Sequence, residues 1–254
     1  MVSKQAQGTL LTLDRGNSAL KADVWNGNTI VETVVMPPAC IVRQLKALMG
    51  RHPLEAAIYC SVTDNGEALK VLFEEHDIYF TILSLQSPLS LTVDYETPCS
   101  LGVDRIAGCM GAYSLFRGHE LLVVDLGTAI TYDRVTADGR FLGGNIAPGV
   151  SLRLKSLNAF TARLPKVDLD GDVPRWGYDT HTALRSGAIR GIAAEVTMYQ
   201  SLLPAGSKVV LTGGSAPRIT PYLDFDFVLE PHLVTIGLKS CLDKIVNCSA
   251  SINS

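Results

Sequence analysis

The sequence predicts an α/β protein made of two similar lobes, and three observations carry that expectation. The first is an internal repeat. Leu10-Leu11-Thr12-Leu13-Asp14-Arg15-Gly16-Asn17-Ser18 recurs as Leu121-Leu122-Val123-Val124-Asp125-Leu126-Gly127-Thr128-Ala129. Each copy is an apolar run ending in an acid, then a glycine and small residues, and each leads into a second extended stretch, over 19–25 and 130–135. A repeat at about half the chain length implies two related half-molecules. The second observation is an alternation of strand and helix patterns, which argues for helices layered on sheets. The third is composition: 254 residues, 47% hydrophobic and 19% charged, suffice for one large or two modest domains with a sizeable core.

In chain order, the first hairpin is followed by a strand at 30–35. Pro37-Pro38 ends it before a helical pattern over 40–49, in which Ile41, Leu45 and Leu48 share a face. A buried strand at 56–62, a short helix at 66–75 and a strand at 78–85 come next. Residues 104–116 are rich in small residues (Ala107, Gly108, Gly111, Ala112) and predict a helix packed close against a neighbour. Gly118 then closes the first lobe, giving lobes of residues 1–118 and 119–254. In the second lobe, Asp138-Gly139 signals a turn, 143–149 is glycine-rich, and 150–160 reads as a helix. Residues 168–177 are polar with Pro174 and read as a loop long enough to move. A long helix over 182–203 carries Ala183, Gly187 and Gly191, which admit close approach of another helix or subunit. A strand at 208–211 delivers Thr212-Gly213-Gly214-Ser215, and a helix over 233–245 closes the chain.

The chemistry concentrates in the turns. A turn of glycine and small residues exposes backbone N–H groups that can surround phosphate oxygens, and a nearby carboxylate can hold a cation or its water shell. Asp and Gly are also ordinary turn residues. Gly102-Val103-Asp104-Arg105 places an acid and a guanidinium at a helix start, where free backbone donors favour an anion. On local chemistry alone, Asp104 as a simple first-turn acid with Arg105 at the surface is an equal reading. The same balance holds for Lys21, a phosphate ligand or an exposed strand lysine. His181 reads better as a cap or surface residue, and Gly213-Gly214 better as a strand-ending turn.

Taken in order, Asp14-Arg15-Gly16-Asn17-Ser18, Gly102-Val103-Asp104-Arg105, Asp125-Leu126-Gly127-Thr128-Ala129, Gly143-Gly144-Asn145-Ile146-Ala147-Pro148-Gly149 and Thr161-Ala162-Arg163-Leu164-Pro165 resemble the motif set of type III pantothenate kinases. The resemblance runs from about Leu10 to Leu238. It implies the acetate and sugar kinase, Hsp70 and actin superfamily, with two ribonuclease H-like (actin-like ATPase) lobes of mixed sheets flanked by helices. It further implies phosphorylation of pantothenate at its 4′-hydroxyl by ATP, the first step towards coenzyme A. By position, Asp104 is the catalytic base, and Tyr95, Gly102, Val103, Asp104 and Arg105 contact pantothenate, joined by Thr180 from a partner subunit. Asp14, Arg15, Gly16, Asn17, Ser18, Ala19, Leu20 and Lys21 hold ATP phosphates, Thr128 contacts ATP, and Asp125 binds K⁺ or NH₄⁺, with Mg²⁺ accompanying ATP. The family implies a homodimer with the pantothenate site at its interface. Ser18 stands where the family usually has Thr, keeping the hydroxyl, and Arg15 is a less expected turn residue.

Those residue types suit phosphoryl transfer, which asks the protein to align the nucleophile and neutralise charge while an Asp accepts a late-leaving proton. Arg105 suits the pantothenate carboxylate through its planar fork. A non-catalytic regulator of the same family is the alternative, and the retention of Asp14, Asp104 and Asp125 argues against it. A net charge of −3 and a pI near 5.9 argue against a nucleic-acid partner. Six scattered cysteines without a CxxC pair read as buried small apolar residues in a reducing compartment. The apolar stretch after Lys4 is broken by Asp14, and no run is long enough for a membrane span, so the expected location is the cytoplasm.

Overall fold

The computed structural model describes residues 8–61 and 63–252. The strands and helices begin with β1 (Thr9–Arg15), β2 (Leu20–Asn26), β3 (Thr29–Met36), α1 (Ile41–Arg51), β4 (Leu54–Ser61), α2 (Glu67–Glu74) and β5 (Tyr79–Ile82). They continue with β6 (Thr92–Val93), α3 (Val103–Leu115), β7 (Leu121–Leu126), β8 (Ala129–Val135), β9 (Arg140–Pro148) and α4 (Val150–Ala159). The last are α5 (Thr180–Ser201), β10 (Lys208–Thr212), α6 (Ala216–Ile219), β11 (Val228–Leu229) and α7 (Leu233–Ile252). Val62, expected to end the second buried strand, and Lys4 lie outside the described residues.

The chain forms two compact units. One takes the chain up to Thr92, Glu96–Leu115 and the chain from Leu233 on, and the other takes Val93–Tyr95 and Phe116–His232. These units differ from the linear division expected at 118/119, because helical periodicity places α7 but not the unit against which it packs. The first sheet runs β3-β2-β1-β4-β5 and the second β11-β10-β7-β8-β9-β6. Both are mixed, and the repeat shows in their pairing. β1 lies between antiparallel β2 and parallel β4, and β7 lies between antiparallel β8 and parallel β10. Alternating residues make these strands: Leu11 and Leu13 of β1 are buried with Leu20, Val24, Met36, Leu45, Tyr59 and Phe73, and Phe73 stacks on Phe80 at 5.1 Å between ring centroids. The second core joins Leu122, Val124 and Tyr132 to Leu154, Ile189, Ile192 and Val196.

The glycine-rich stretch 143–149 falls largely in β9. Its glycines serve packing, since a Cβ on Gly144 would lie 1.9 Å from the Tyr132 carbonyl oxygen of the adjacent strand. The loop over 168–177 is held along its backbone by arginines of α5. Arg185 donates to the carbonyls of Asp168 and Asp172, and Arg190 to those of Val173 and Pro174, at 2.9–3.1 Å. In the first unit, α7 crosses α3 at two glycines: a Cβ on Gly111 would lie 2.0 Å from the Leu233 carbonyl oxygen, and one on Gly237 1.8 Å from that of Ala107. Thr235 of α7 donates its hydroxyl to the buried Asp23 carboxylate, which also accepts from Thr33 at 2.6 Å. None of the six cysteines is in a disulfide. Cys60, Cys109 and Cys241 are buried as expected, whereas Cys99 and Cys248 are exposed and Cys40 is half-buried.

Candidate functional site

In the first unit, β1 ends on Asp14, which lies opposite Lys21 in the antiparallel register and opposite Cys60 in the parallel one. The turn beyond it is closed by the Gly16 N–H donating to the Ala19 carbonyl at 3.1 Å. Arg15 donates to the Gly16 carbonyl at 3.0 Å, so its side chain folds back on its own turn. Asn17 and Ser18 are exposed at the tip, and Lys21 is half-buried. Gly102 leads into α3, where the Asp104 Oδ1 accepts from the Arg105 N–H at 2.9 Å, and a Cβ on Gly102 would come within 2.5 Å of that oxygen. Arg105 is buried, with 7% of its surface exposed, which overturns the surface reading of this residue.

The electrostatics of Cys60 tie the two acids together. Burial, followed by the Asp14 carboxylate and then that of Asp104, pushes its thiol well above the ordinary range. The carboxylate ending β1 and the carboxylate opening α3 therefore bear on one spot at the end of β4. That thiol stays protonated and unreactive.

In the second unit, Asp125 takes the place that Asp14 holds in the first, opposite Thr131 and Thr212. Its Oδ1 is flanked by glycines: Cβ atoms on Gly213 and Gly127 would lie 2.4 and 3.3 Å from it. Gly213 has φ of 91°, which a side chain would strain, and Ser215 N–H donates to the Leu126 carbonyl at 2.9 Å. The Thr212-Gly213-Gly214-Ser215 turn, read from the sequence as a plain strand ending, thus backs onto the acid of the second hairpin. The signal was its position after a strand parallel to the repeat strand. Thr128 is exposed, and its carbonyl accepts from the Gly149 N–H at 2.9 Å. Tyr95 lies over β9, its ring edge 3.0 Å from a Cβ placed on Gly143. Thr180 is exposed in the first turn of α5, behind the cap Asp179, whose carboxylate accepts from the Thr182 N–H at 2.7 Å and is held below its ordinary value by that bond.

The structure thus gathers Asp14, Arg15, Gly16, Asn17, Ser18, Ala19, Leu20, Lys21, Gly102, Val103, Asp104 and Arg105 in one unit, and Tyr95, Asp125, Thr128 and Thr180 in the other.

Residues 10–201 match the family model described as type III pantothenate kinase. The chain belongs to the type III pantothenate kinase family. A type III pantothenate kinase of Porphyromonas gingivalis (strain ATCC BAA-308 / W83) is 38% identical over 239 residues, covering 92% of this chain and 97% of that protein. Among solved structures, a conserved Campylobacter jejuni protein named as a candidate Baf family transcriptional activator has a TM-score of 0.64 at 23% identity, covering 93% of this chain and 99% of its own. The activator of the 2-hydroxyisocaproyl-CoA dehydratase from Clostridium difficile with bound ADPNP has a TM-score of 0.56 at 11% identity, covering 96% and 97%. These two likenesses concern the fold alone. A type III pantothenate kinase is an enzyme acting on an alcohol group, and membership implies ATP-dependent phosphorylation of pantothenate in coenzyme A synthesis.

Proposed function

We propose that this chain transfers the γ-phosphoryl group of ATP to the 4′-hydroxyl of pantothenate in the cytoplasm, with Asp104 as general base. The supporting observation is that the carboxylates of Asp14 and Asp104 both raise the thiol of Cys60, which lies opposite Asp14 in the parallel register of β1 and β4. One Asp104 oxygen is engaged by the Arg105 N–H, and the other takes the hydroxyl proton as the bond to phosphorus forms. Gly102 and Val103 shape the approach to α3, and Arg105 engages the pantothenate carboxylate. The turn from Asp14 to Lys21 binds the phosphates, and Thr128 holds the nucleotide from the second hairpin.

Asp125 fits a monovalent cation, K⁺ or NH₄⁺, because its carboxylate is a hard oxygen donor and glycines on two sides let backbone come close beside it. Mg²⁺ arrives with ATP, as the family implies. The cations supply charge neutralisation on the phosphates. Thr180, exposed beside exposed Trp176 and Tyr178, fits a homodimer in which it reaches a second copy's pantothenate alongside Tyr95.

Pantothenate-dependent ADP release from Mg-ATP by the purified chain tests the reading. Asp104→Asn is expected to abolish turnover while the folded variant still binds ATP. Near-parental turnover in that variant would remove Asp104 from the role of base, and release of ADP without need of pantothenate would reject the substrate.

A further inference from the structure

The second hairpin turn and the start of α4 form one block. The Gly149 N–H donates to the Thr128 carbonyl, and a Cβ on Gly149 would lie 2.3 Å from the Gly127 carbonyl oxygen and 2.7 Å from that of Thr128. No side chain caps α4, and its first turn carries no acid. Arg153 holds this block from behind. Its backbone N–H donates to the Gly149 carbonyl at 2.9 Å and its Nε to the Pro148 carbonyl at 2.7 Å, so one residue grips both sides of the Pro148–Gly149 link. The far end of the same guanidinium donates to both Glu195 oxygens at 2.8 and 2.6 Å.

Glu195, on α5, is fixed in turn by the Tyr132 hydroxyl of β8 at 2.8 Å. Tyr132 is buried and packs against Tyr199 with ring centroids 4.4 Å apart. Burial first, and then the hydrogen bond to Glu195, push the phenol above its ordinary value, so it remains the donor of that bond. One turn before Glu195, Gly191 faces the same guanidinium, and a Cβ there would make ordinary contact with Arg153 Nη1 at 3.5 Å. With side-chain exposures of 18% and 35%, the Arg153–Glu195 pair is partly withdrawn from water and strengthened accordingly.

We propose that Glu195 is a positioning residue for ATP: through Arg153 it sets the Pro148–Gly149 link, and with it the Gly127–Thr128 turn that meets the nucleotide. The proposal rests on the reading of Thr128 as an ATP contact. None of the three strut side chains, Tyr132, Glu195 and Arg153, has to touch ATP to act this way.

The full chain is assayed by initial rates at varied ATP and varied pantothenate, and by fluorescence binding of N-methylanthraniloyl-ATP. Glu195→Ala is expected to raise the KM for ATP and the Kd of the fluorescent nucleotide about tenfold, the scale of one charge-assisted hydrogen bond, with the KM for pantothenate unchanged. Glu195→Gln, which keeps an acceptor for Arg153, is expected to recover part of that loss. A purely structural brace would lower Tm and leave both ATP constants parental, and that result overturns the proposal, as does an equal loss for both substrates. If Glu195→Ala does not fold, Arg153→Lys carries the test, because an ammonium cannot span Pro148 and Glu195 as the guanidinium does. The same ATP-selective loss is required of it, and parental ATP constants overturn the proposal. A parent chain that binds the fluorescent nucleotide but leaves pantothenate untouched would reject the proposed reaction, while the strut stays measurable by binding.

Discussion

Gly237→Ala tests how α7 holds the helix that carries Asp104. The added Cβ would lie 1.8 Å from the Ala107 carbonyl oxygen and is boxed in further by the Gly111 N at 2.9 Å. Carbon–oxygen contact begins near ~3.3 Å, so α3 and α7 must part by roughly 1.5 Å, and backbone atoms cannot rotate out of the way. Overpacking of this kind costs about 3 kcal/mol at the upper end of its usual range, offset by ~1 kcal/mol from the better helix propensity of alanine. A net loss of about 2 kcal/mol corresponds to a fall in Tm of roughly 4–8 °C for a protein of this size. Asp104 lies one turn before Ala107 on α3, so the displacement reaches the proposed base, and a misplacement of ~1 Å can lower kcat by about 100-fold. Thermal unfolding followed by circular dichroism reads the first effect and steady-state kinetics the second. Gly50→Ala is the control, since a Cβ there meets nothing within 4 Å. A Gly237→Ala variant with parental Tm and kcat would refute the claim that this crossing sets α3.

Two further expectations concern charge. Turnover is expected to need K⁺ or NH₄⁺, and Asp125→Asn to lower it in K⁺ to the level seen in Na⁺; full activity of the parent in Na⁺ alone would end the cation reading. Hydrogen bonds from Arg51 and then His52 hold the Glu32 carboxyl below its usual 4.5, so its contribution to stability is present above that value and fades as pH falls through the lowered one. Glu32→Gln is therefore expected to lower Tm slightly near neutral pH, by about 1–2 °C because the pair is exposed. That gap should shrink below pH 4.5, and a gap unchanged down to about pH 3.5 would contradict the assignment.

The duplicated hairpins were legible because their determinants are local: a period-two apolar run, an acid and a glycine turn. Asp14 and Asp125 accordingly occupy matching positions in their sheets. β9 was less legible, since its glycines break the alternation that marks a strand, and the contact that needs them, Gly144 against Tyr132, is made across the sheet. The hold of Arg185 and Arg190 on the 168–177 loop joins residues that no local pattern links. Gly191 shows the limit of reading residue type alone. It suggested room for another helix or subunit, and in this chain a Cβ there would stand in ordinary contact with the Arg153 guanidinium. The burial of Arg105 likewise removed its surface reading, which helix-start chemistry had left open.

The discontinuity of the first unit has a consequence for biosynthesis. Its sheet and α3 emerge from the ribosome early, yet Gly111 and the buried Asp23 carboxylate meet their partners Leu233 and Thr235 only after the whole intervening unit has been made. The second unit can close on its own as it emerges, whereas the unit carrying Asp104 has to wait with an apolar face uncovered. A nascent chain stalled before residue 233 would present that face to chaperones, and the helix bearing the proposed base would lack its packing partner until α7 docks.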